Sequence, residues 1–379
     1  MLVETQIISP RYGLSVVGCV HDAITGNYLL TKELVLTRNE AVDLLYGCGV
    51  EDLSPLPAKE KIDGKEVFSV LLPKDFNFMG EDKSGNQVKI VNGSLKTGVM
   101  DKSNLGQESG LMLRNVFEKY GSSFTADLLG KITKLGIAVL TRRGFTIGAG
   151  DLDLLDETKE EINTAITKAE DDAMKLIDEF YAGKLQSLPG RTVAETLELR
   201  ILEVLNRARN KSGDIAVRQV RESSALTMAK CGSRGNPLNI AQMTAIVGQQ
   251  ALRGKRIETG FKKRTLSYFK QNDLSPKARG FIRNNFKSGL TPSEFFFGAM
   301  TGRDALMDTA LRTPKSGYLY RRLSNAMQDL KVVYDGSVRD ASGKIVQFAY
   351  GEDGLDVSKT KNGVIDVKEI VQQINGEEK

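Results

Sequence analysis

The spacing of apolar side chains divides the chain into three segments. Up to about residue 155, short apolar runs alternate with turn residues, so residues 1–155 read as β-rich with short helices. KEVFSVLL (65–72) predicts a strand closed by Pro73. Residues 88–99 predict a hairpin: VKIV alternates, and Asn92-Gly93 then supplies the two positive φ values of a type I′ turn. Helices are predicted between Leu111 and Tyr120 and near 125–142, the latter stopped by Gly144. Asp82-Lys83-Ser84-Gly85-Asn86 has the opening of a calcium loop without its later ligands, and reads as a turn.

Residues 156–286 read as helical. Ile162, Ile166, Ala169, Ala173, Leu176, Ile177 and Phe180 recur at steps of three and four, until Gly183 and Pro189-Gly190 break the pattern. A second run carries Val193, Leu197, Ile201, Val204, Leu205 and Ala208 and is expected to stop near Ser212-Gly213. A third is expected from Asp214 to about Lys230. Antiparallel packing of these stripes is the simplest way to bury them.

Residues 287–379 are dominated by one long predicted helix, about 291–330. Thr291-Pro292-Ser293-Glu294 combines a capping residue, a proline where no N–H is needed, and a glutamate that closes a capping box. Forty residues at 1.5 Å each give about 60 Å, several times the usual helix. FFFGAM and ALMDTAL are apolar on nearly all sides, which predicts burial in a larger body. Arg312, Lys315 and Arg322 then share a face to within about 80°. Pro314 lies among them and removes the hydrogen bond to the Ala310 carbonyl, at a cost of roughly 3 kcal/mol in an ordinary helix. Two readings stay open. Either Pro314 ends one helix and Ser316-Gly317 begins another, or one helix continues through a weak point where a basic stripe meets nucleic acid. The sequence after Leu330, VVYDGSVRD and KIVQFAYG, reads as two β-like runs.

Composition narrows the function classes. With 379 residues, 40% hydrophobic and 27% charged, the chain fits an ordered globular protein of two or three domains. No apolar run approaches the roughly 18 residues that span a bilayer, and no signal peptide opens the chain, so no membrane partner is expected. Cys19, Cys48 and Cys231 are widely spaced and His21 is the sole histidine, which leaves no zinc motif and little for histidine-based catalysis. Unpaired thiols point to the cytoplasm. No phosphate-loop or nucleophile motif supports a small-molecule enzyme. The net charge of +5 is uneven: residues 251–330 carry 16 Lys/Arg against 6 Asp/Glu. Such a surplus fits a polyanion or, equally, a solvated surface.

GLTPSEFFFGAMTGRDALMDTALRTPKSGYLYRRLSNAMQDL (289–330) resembles the bridge helix of the largest subunit of multisubunit DNA-directed RNA polymerases. NIAQMTAIVGQQALRGKRIETGFKKRTLSYF (239–269) resembles the same subunit's funnel region. QIISPRYGLSVVGCVHDAITGNYLLT (6–31), GKEVFSVLLPKDFN (64–77), NGSLKTGVMDK (92–102) and GFTIGAGD (144–151) resemble its pore region. The likeness is strongest to the archaeal form, whose largest subunit is divided into two polypeptides. It implies an α+β multidomain fold: a β-rich pore region, a helical funnel, then the bridge helix with a small β element.

The resemblance also implies roles. Arg312, Thr313 and Pro314 would lie beside the nascent base pair, Tyr318 near the template strand, and Lys315 and Arg322 near backbone phosphates; Arg234 would face incoming nucleotide. The family's Asn-Ala-Asp-Phe-Asp-Gly-Asp loop, which holds catalytic magnesium, is absent from the sequence. The metal is therefore expected on residues outside this chain, with no catalytic or metal-binding residue here. Expected partners are the other polymerase subunits, template DNA, nascent RNA and nucleoside triphosphates. Alone, the chain is expected to be inactive. The family's His-Ala-Met-Gly-Gly-Arg is Gly298-Ala299-Met300-Thr301-Gly302-Arg303 here, and Ala305 and Cys231 replace more usual Gly and Ser. The alternative, a stand-alone nucleic-acid-binding or scaffold protein with a polymerase-like fold, stays open.

Overall fold

Threonine or aspartate three residues before glutamate opens four helices, because each side chain then satisfies amides that the first helical turn leaves unpaired. The computed structural model describes residues 2–220, 223–258 and 260–357, with Thr360, Val367 and Val371. They fall into two compact units, one of residues 1–146, 227–235 and 329–379, the other of 147–226 and 236–328.

In the first unit the order is α1 (Asp22–Glu33), β1 (Val35–Thr37), α2 (Arg38–Gly47), β2 (Lys61–Asp63), α3 (Gly64–Ser69), β3 (Phe78–Glu81), β4 (Gln87–Val91), β5 (Ser94–Thr97), α4 (Lys102–Leu105) and α5 (Leu111–Arg143). Strands β1 and β2 pair antiparallel, as do β3, β4 and β5 in a three-stranded meander. The hairpin turns at Asn92 and Gly93, both at positive φ, as the sequence predicts. Asp82 closes the preceding turn by accepting the Ser84 and Asn86 amides. Helix α5 is two helical stretches meeting at Gly121, which leaves helical geometry at φ 81°, and it ends at Gly144.

Helix outweighs strand here, contrary to the β-rich expectation. The clearest correction is KEVFSVLL: residues 64–69 are helical, not extended. Asp63 and Glu66 form a capping box immediately after β2, and Gly64 lies so near the Leu30 carbonyl that a Cβ would approach it to 2.0 Å. The core holds Leu30, Leu45, Ile62, Phe68, Phe76, Ile90 and Met100. Helices α1 and α5 approach backbone to backbone at Gly26 and Gly136, beside buried Asn27, whose Nδ2 donates to Ala23 and Ile132 carbonyls at 2.8 and 2.9 Å. The last strands of this unit, β10 (Lys331–Val332), β11 (Val338–Arg339) and β12 (Ile345–Gln347), form a third antiparallel sheet.

In the second unit, α6 (Asp156–Tyr181) and α7 (Val193–Gln219) pack along each other as a helical hairpin, burying Ile162, Ile166, Ala169, Ala173 and Ile177 and, from α7, Leu197, Ile201, Leu205 and Ala208. Gly213 does not stop α7. It sits where α9 (Pro237–Thr244) crosses, 3.0 Å separating its virtual Cβ from the Ala241 methyl, so close packing explains the glycine. Helix α8 (Ser224–Cys231) follows a break after α7, replacing the continuous run expected from Asp214. From Ala245 to Phe286 the expected helix gives way to turns and two small pairings: β6 (Gly248–Gln249) with β9 (Phe281–Ile282), and β7 (Ala251–Leu252) with β8 (Lys255–Arg256). Arg256 and Arg283 tie this stretch to the hairpin. Arg256 makes a buried bidentate pair with Glu198 (2.7 and 2.9 Å), and Arg283 reaches Glu170 at 2.6 Å. Helix α10 (Pro292–Met327) completes the unit.

Candidate nucleic-acid interface

Helix α10 runs unbroken for 36 residues through Pro314, so Pro314 does not end one helix and Ser316-Gly317 does not begin another. Its root is built by two side chains. Glu294 is buried and accepts from the Thr291 amide and hydroxyl, the Arg283 amide, and both the amide and Nδ2 of Asn284. Burial pushes its carboxyl up, but the bonds from Thr291 and Asn284 together outweigh it and leave the group below the ordinary glutamate range. Phe297 packs with Ile257, Phe269 and Ala278, its ring stacked on Phe269 at 6.2 Å.

Beyond this root, every residue from Ala305 to Asp329 is exposed. Phe297 aside, burial of the apolar half is therefore not met among the described residues. Leu306, Met307 and Leu311 stand in solvent at 67%, 55% and 69% exposure, a surface of the kind that marks association.

The predicted residues Arg312, Thr313, Pro314, Lys315, Tyr318 and Arg322 all fall on this exposed stretch. Arg312 is held by Asp308, one turn back, at 2.9 Å. The Arg322 guanidinium lies over the Tyr318 ring, 5.4 Å from its centroid, so a planar cation and an aromatic face form one element. Lys315 has no ion-pair partner among the described residues. Together the three cations and Tyr318 cover an arc of about 120° at 3.6 residues per turn.

Around Pro314 the backbone ladder is weakened twice. The proline removes one donor, and Thr309, Thr313 and Ser316 turn their hydroxyls back onto the carbonyls of Ala305, Thr309 and Thr313 at 2.9–3.0 Å. Such back-bonding favours bending.

Arg234 belongs to the other unit. It is exposed on the loop after α8, between Gly232 (φ 78°) and Gly235 (φ 80°), positions that demand the left-handed region. The loop is fastened on both sides. The Thr25 hydroxyl donates to Ser233 Oγ at 2.8 Å, and Lys83 Nζ donates to the Ala229 carbonyl at 2.9 Å. The Lys83 amide in turn donates to Asp101 Oδ2 at 2.6 Å. Burial pushes the Asp101 carboxyl above its ordinary range against that bond, with Asp82 adding to the rise. None of these supports was legible in the sequence, since they join residues up to 208 positions apart.

The remaining chemistry is sparse. All three cysteines are buried, and burial raises Cys19 and Cys48 to about 11, so neither is a thiolate at neutral pH. Among the described residues no three His, Cys, Asp or Glu come together as metal donors, and none of their helices is long and apolar enough to cross a membrane.

Three successive domains of one protein, matched in order, define the class. Residues 6–152, 176–282 and 289–376 match the family models described as RNA polymerase Rpb1, domain 3, domain 4 and domain 5. The chain belongs to this family of RNA polymerase largest subunits. It is similar throughout to archaeal proteins named DNA-directed RNA polymerase subunit Rpo1N. The Thermococcus celer protein is 42% identical, covering 98% of this chain and 45% of the relative. Those of Halobacterium salinarum and Sulfolobus acidocaldarius are 41% and 40% identical, each covering 99% of this chain and 40% and 45% of the relative. The chain thus spans less than half the length of these relatives.

Proposed function

We propose that this chain works as part of the largest subunit of a DNA-directed RNA polymerase in the cytoplasm, positioning template DNA and incoming nucleoside triphosphate beside the growing RNA. The observation that carries the reading is α10: a continuous helix, anchored at its root among the described residues, that presents Arg312, Lys315, Tyr318 and Arg322 around a proline-weakened turn. In the same reading, residues 1–155 form the pore region, 156–286 the funnel and 287–379 the bridge-helix region.

The side chains present act by position and charge. Arg312 exchanges Asp308 for a phosphate or a base edge, and its planar fork suits either. Tyr318, stiffened by Arg322, offers a face against a template base, while Lys315 and Arg322 neutralise backbone phosphates. Thr313 and Pro314 supply a turn whose bending is cheap. Arg234, on its fastened loop, meets the triphosphate. The exposed Leu306, Met307 and Leu311 are covered by other parts of the polymerase.

Magnesium supplies the nucleophile activation of this reaction class. In this reading residues outside this chain hold it; among the described residues no three His, Cys, Asp or Glu come together as metal donors.

In the assembled enzyme, Arg312→Ala is expected to slow single-nucleotide addition at least tenfold, on the order of one lost charge-assisted contact. An unchanged addition rate refutes the placement. The 379-residue chain alone is expected to incorporate no nucleotide into a primed template; incorporation by contaminant-free protein overturns the division of labour.

A further inference from the structure

The groove at the connected end of the α6–α7 hairpin is unused by the reading above, and cations outnumber carboxylates in its lining. It encloses about 1060 Å³ between the end of α6, the start of α7, the β7–β8 hairpin and the turns that follow. Six cations line it (Arg191, Arg253, Lys255, Arg256, Lys263 and Arg279) against three carboxylates, Glu195, Glu198 and Glu258.

Two of the three carboxylates already have partners. Glu198 is taken up by Arg256, and Glu195 by the Thr192 cap of α7. Arg191, Lys255 and Lys263 have no carboxylate within ion-pair distance among the described residues, and Arg253 only reaches Asp304 at 4.0 Å.

A second observation comes from Arg256. Its side chain is wholly buried in the wall of the groove, Nε and Nη2 bonded to Glu198 and the Leu274 carbonyl, yet Nη1 has no partner. A buried, half-satisfied guanidinium is costly unless an acceptor completes it.

We propose that this groove binds a small oligophosphate, an anion carrying two or more linked phosphates. Its volume exceeds what a single phosphate fills and matches a compact ligand, while its concave form suits a discrete molecule better than an extended strand. Arg191, Lys255 and Lys263 hold the charge at the mouth, and a small shift of the wall brings an oxygen to Arg256 Nη1. No residue of α10 lines the groove, so it stands or falls independently of the role given to Arg312.

The test is calorimetric titration of the full chain with inorganic tripolyphosphate, repeated on the exposed-residue variant Arg191→Ala/Lys263→Ala and on Arg312→Ala. Expected are saturable one-to-one binding, at least a tenfold weaker affinity in the double variant, and no change in Arg312→Ala. Circular dichroism of the double variant establishes that it is folded. Absence of binding at millimolar ligand, equal affinity in the folded double variant, or an equal loss in Arg312→Ala each overturns the proposal. So does tighter, length-dependent binding of single-stranded oligonucleotides that displaces tripolyphosphate, which makes the groove a nucleic-acid track instead.

Discussion

Replacing Glu294 tests how α10 is held, because one carboxylate there accepts five hydrogen bonds from three residues. Glu294→Ala leaves the Arg283 and Asn284 amides without their acceptor in a partly buried turn, whereas the exposed Thr291 groups regain water. Bonds to a charged acceptor contribute about 1.5–3 kcal/mol each and do not add, so with solvent recovering the Thr291 pair the loss is about 3 kcal/mol. Glu294→Gln keeps the shape and part of the bonding, and should lose about half as much.

The pH dependence has a definite sign. The folded carboxyl lies below the ordinary glutamate value, so its stabilisation is complete above the unfolded pKa and is lost as pH falls through the lower folded value. The wild-type advantage over Glu294→Gln should therefore be constant at neutral pH and shrink below about pH 4.5. Urea melts of the full chain across pH 3–7, with hydrogen exchange at the Arg283 and Asn284 amides, measure both quantities. A Glu294→Ala chain within about 1 kcal/mol of wild type, with those amides still protected, refutes the account of the root.

Two further outcomes follow from packing. Gly26→Ala forces a Cβ to 1.9 Å from the Gly136 carbonyl oxygen and should cost at least about 3 kcal/mol in a denaturant melt, whereas Gly130→Ala, with nothing within 4 Å, should gain about 0.5–1 kcal/mol. Equal effects of the two in the same assay contradict the α1–α5 contact. Arg256→Met strands Glu198 and should destabilise the chain by about 3 kcal/mol, while Arg256→Met/Glu198→Leu should recover more than half of that, since no ion is left unpaired. A double variant less stable than the single one in thermal unfolding refutes that bookkeeping.

Much of the helical framework was legible because its signals are local. The Thr291–Glu294 capping box fixed the start of α10 to within one residue, and the three- and four-residue steps of isoleucine and leucine fixed the buried faces of α6 and α7. The Asn92-Gly93 hairpin was equally plain, since few residue pairs accept two positive φ values. KEVFSVLL misled because β-branched and aromatic residues suit a strand wherever nothing else intervenes. Asp63 with Glu66 and the contact of Gly64 with Leu30 decided for helix. Gly213 misled in the opposite way: a glycine that local rules read as a stop is a crossing point, and only the position of α9 shows it.

The candidate site divides along the same line. Which side chains share a face of α10 follows from 3.6 residues per turn and needs no tertiary information. What fastens its root and which of its apolar residues the chain itself covers depend on contacts between distant residues, and periodicity does not decide whether it continues through Pro314. Periodicity constrains only neighbours along the chain. The bonds from Asn284 to Glu294, from Thr25 to Ser233 and from Arg256 to Glu198 exist because folding brings donor and acceptor together, and no spacing rule encodes that distance.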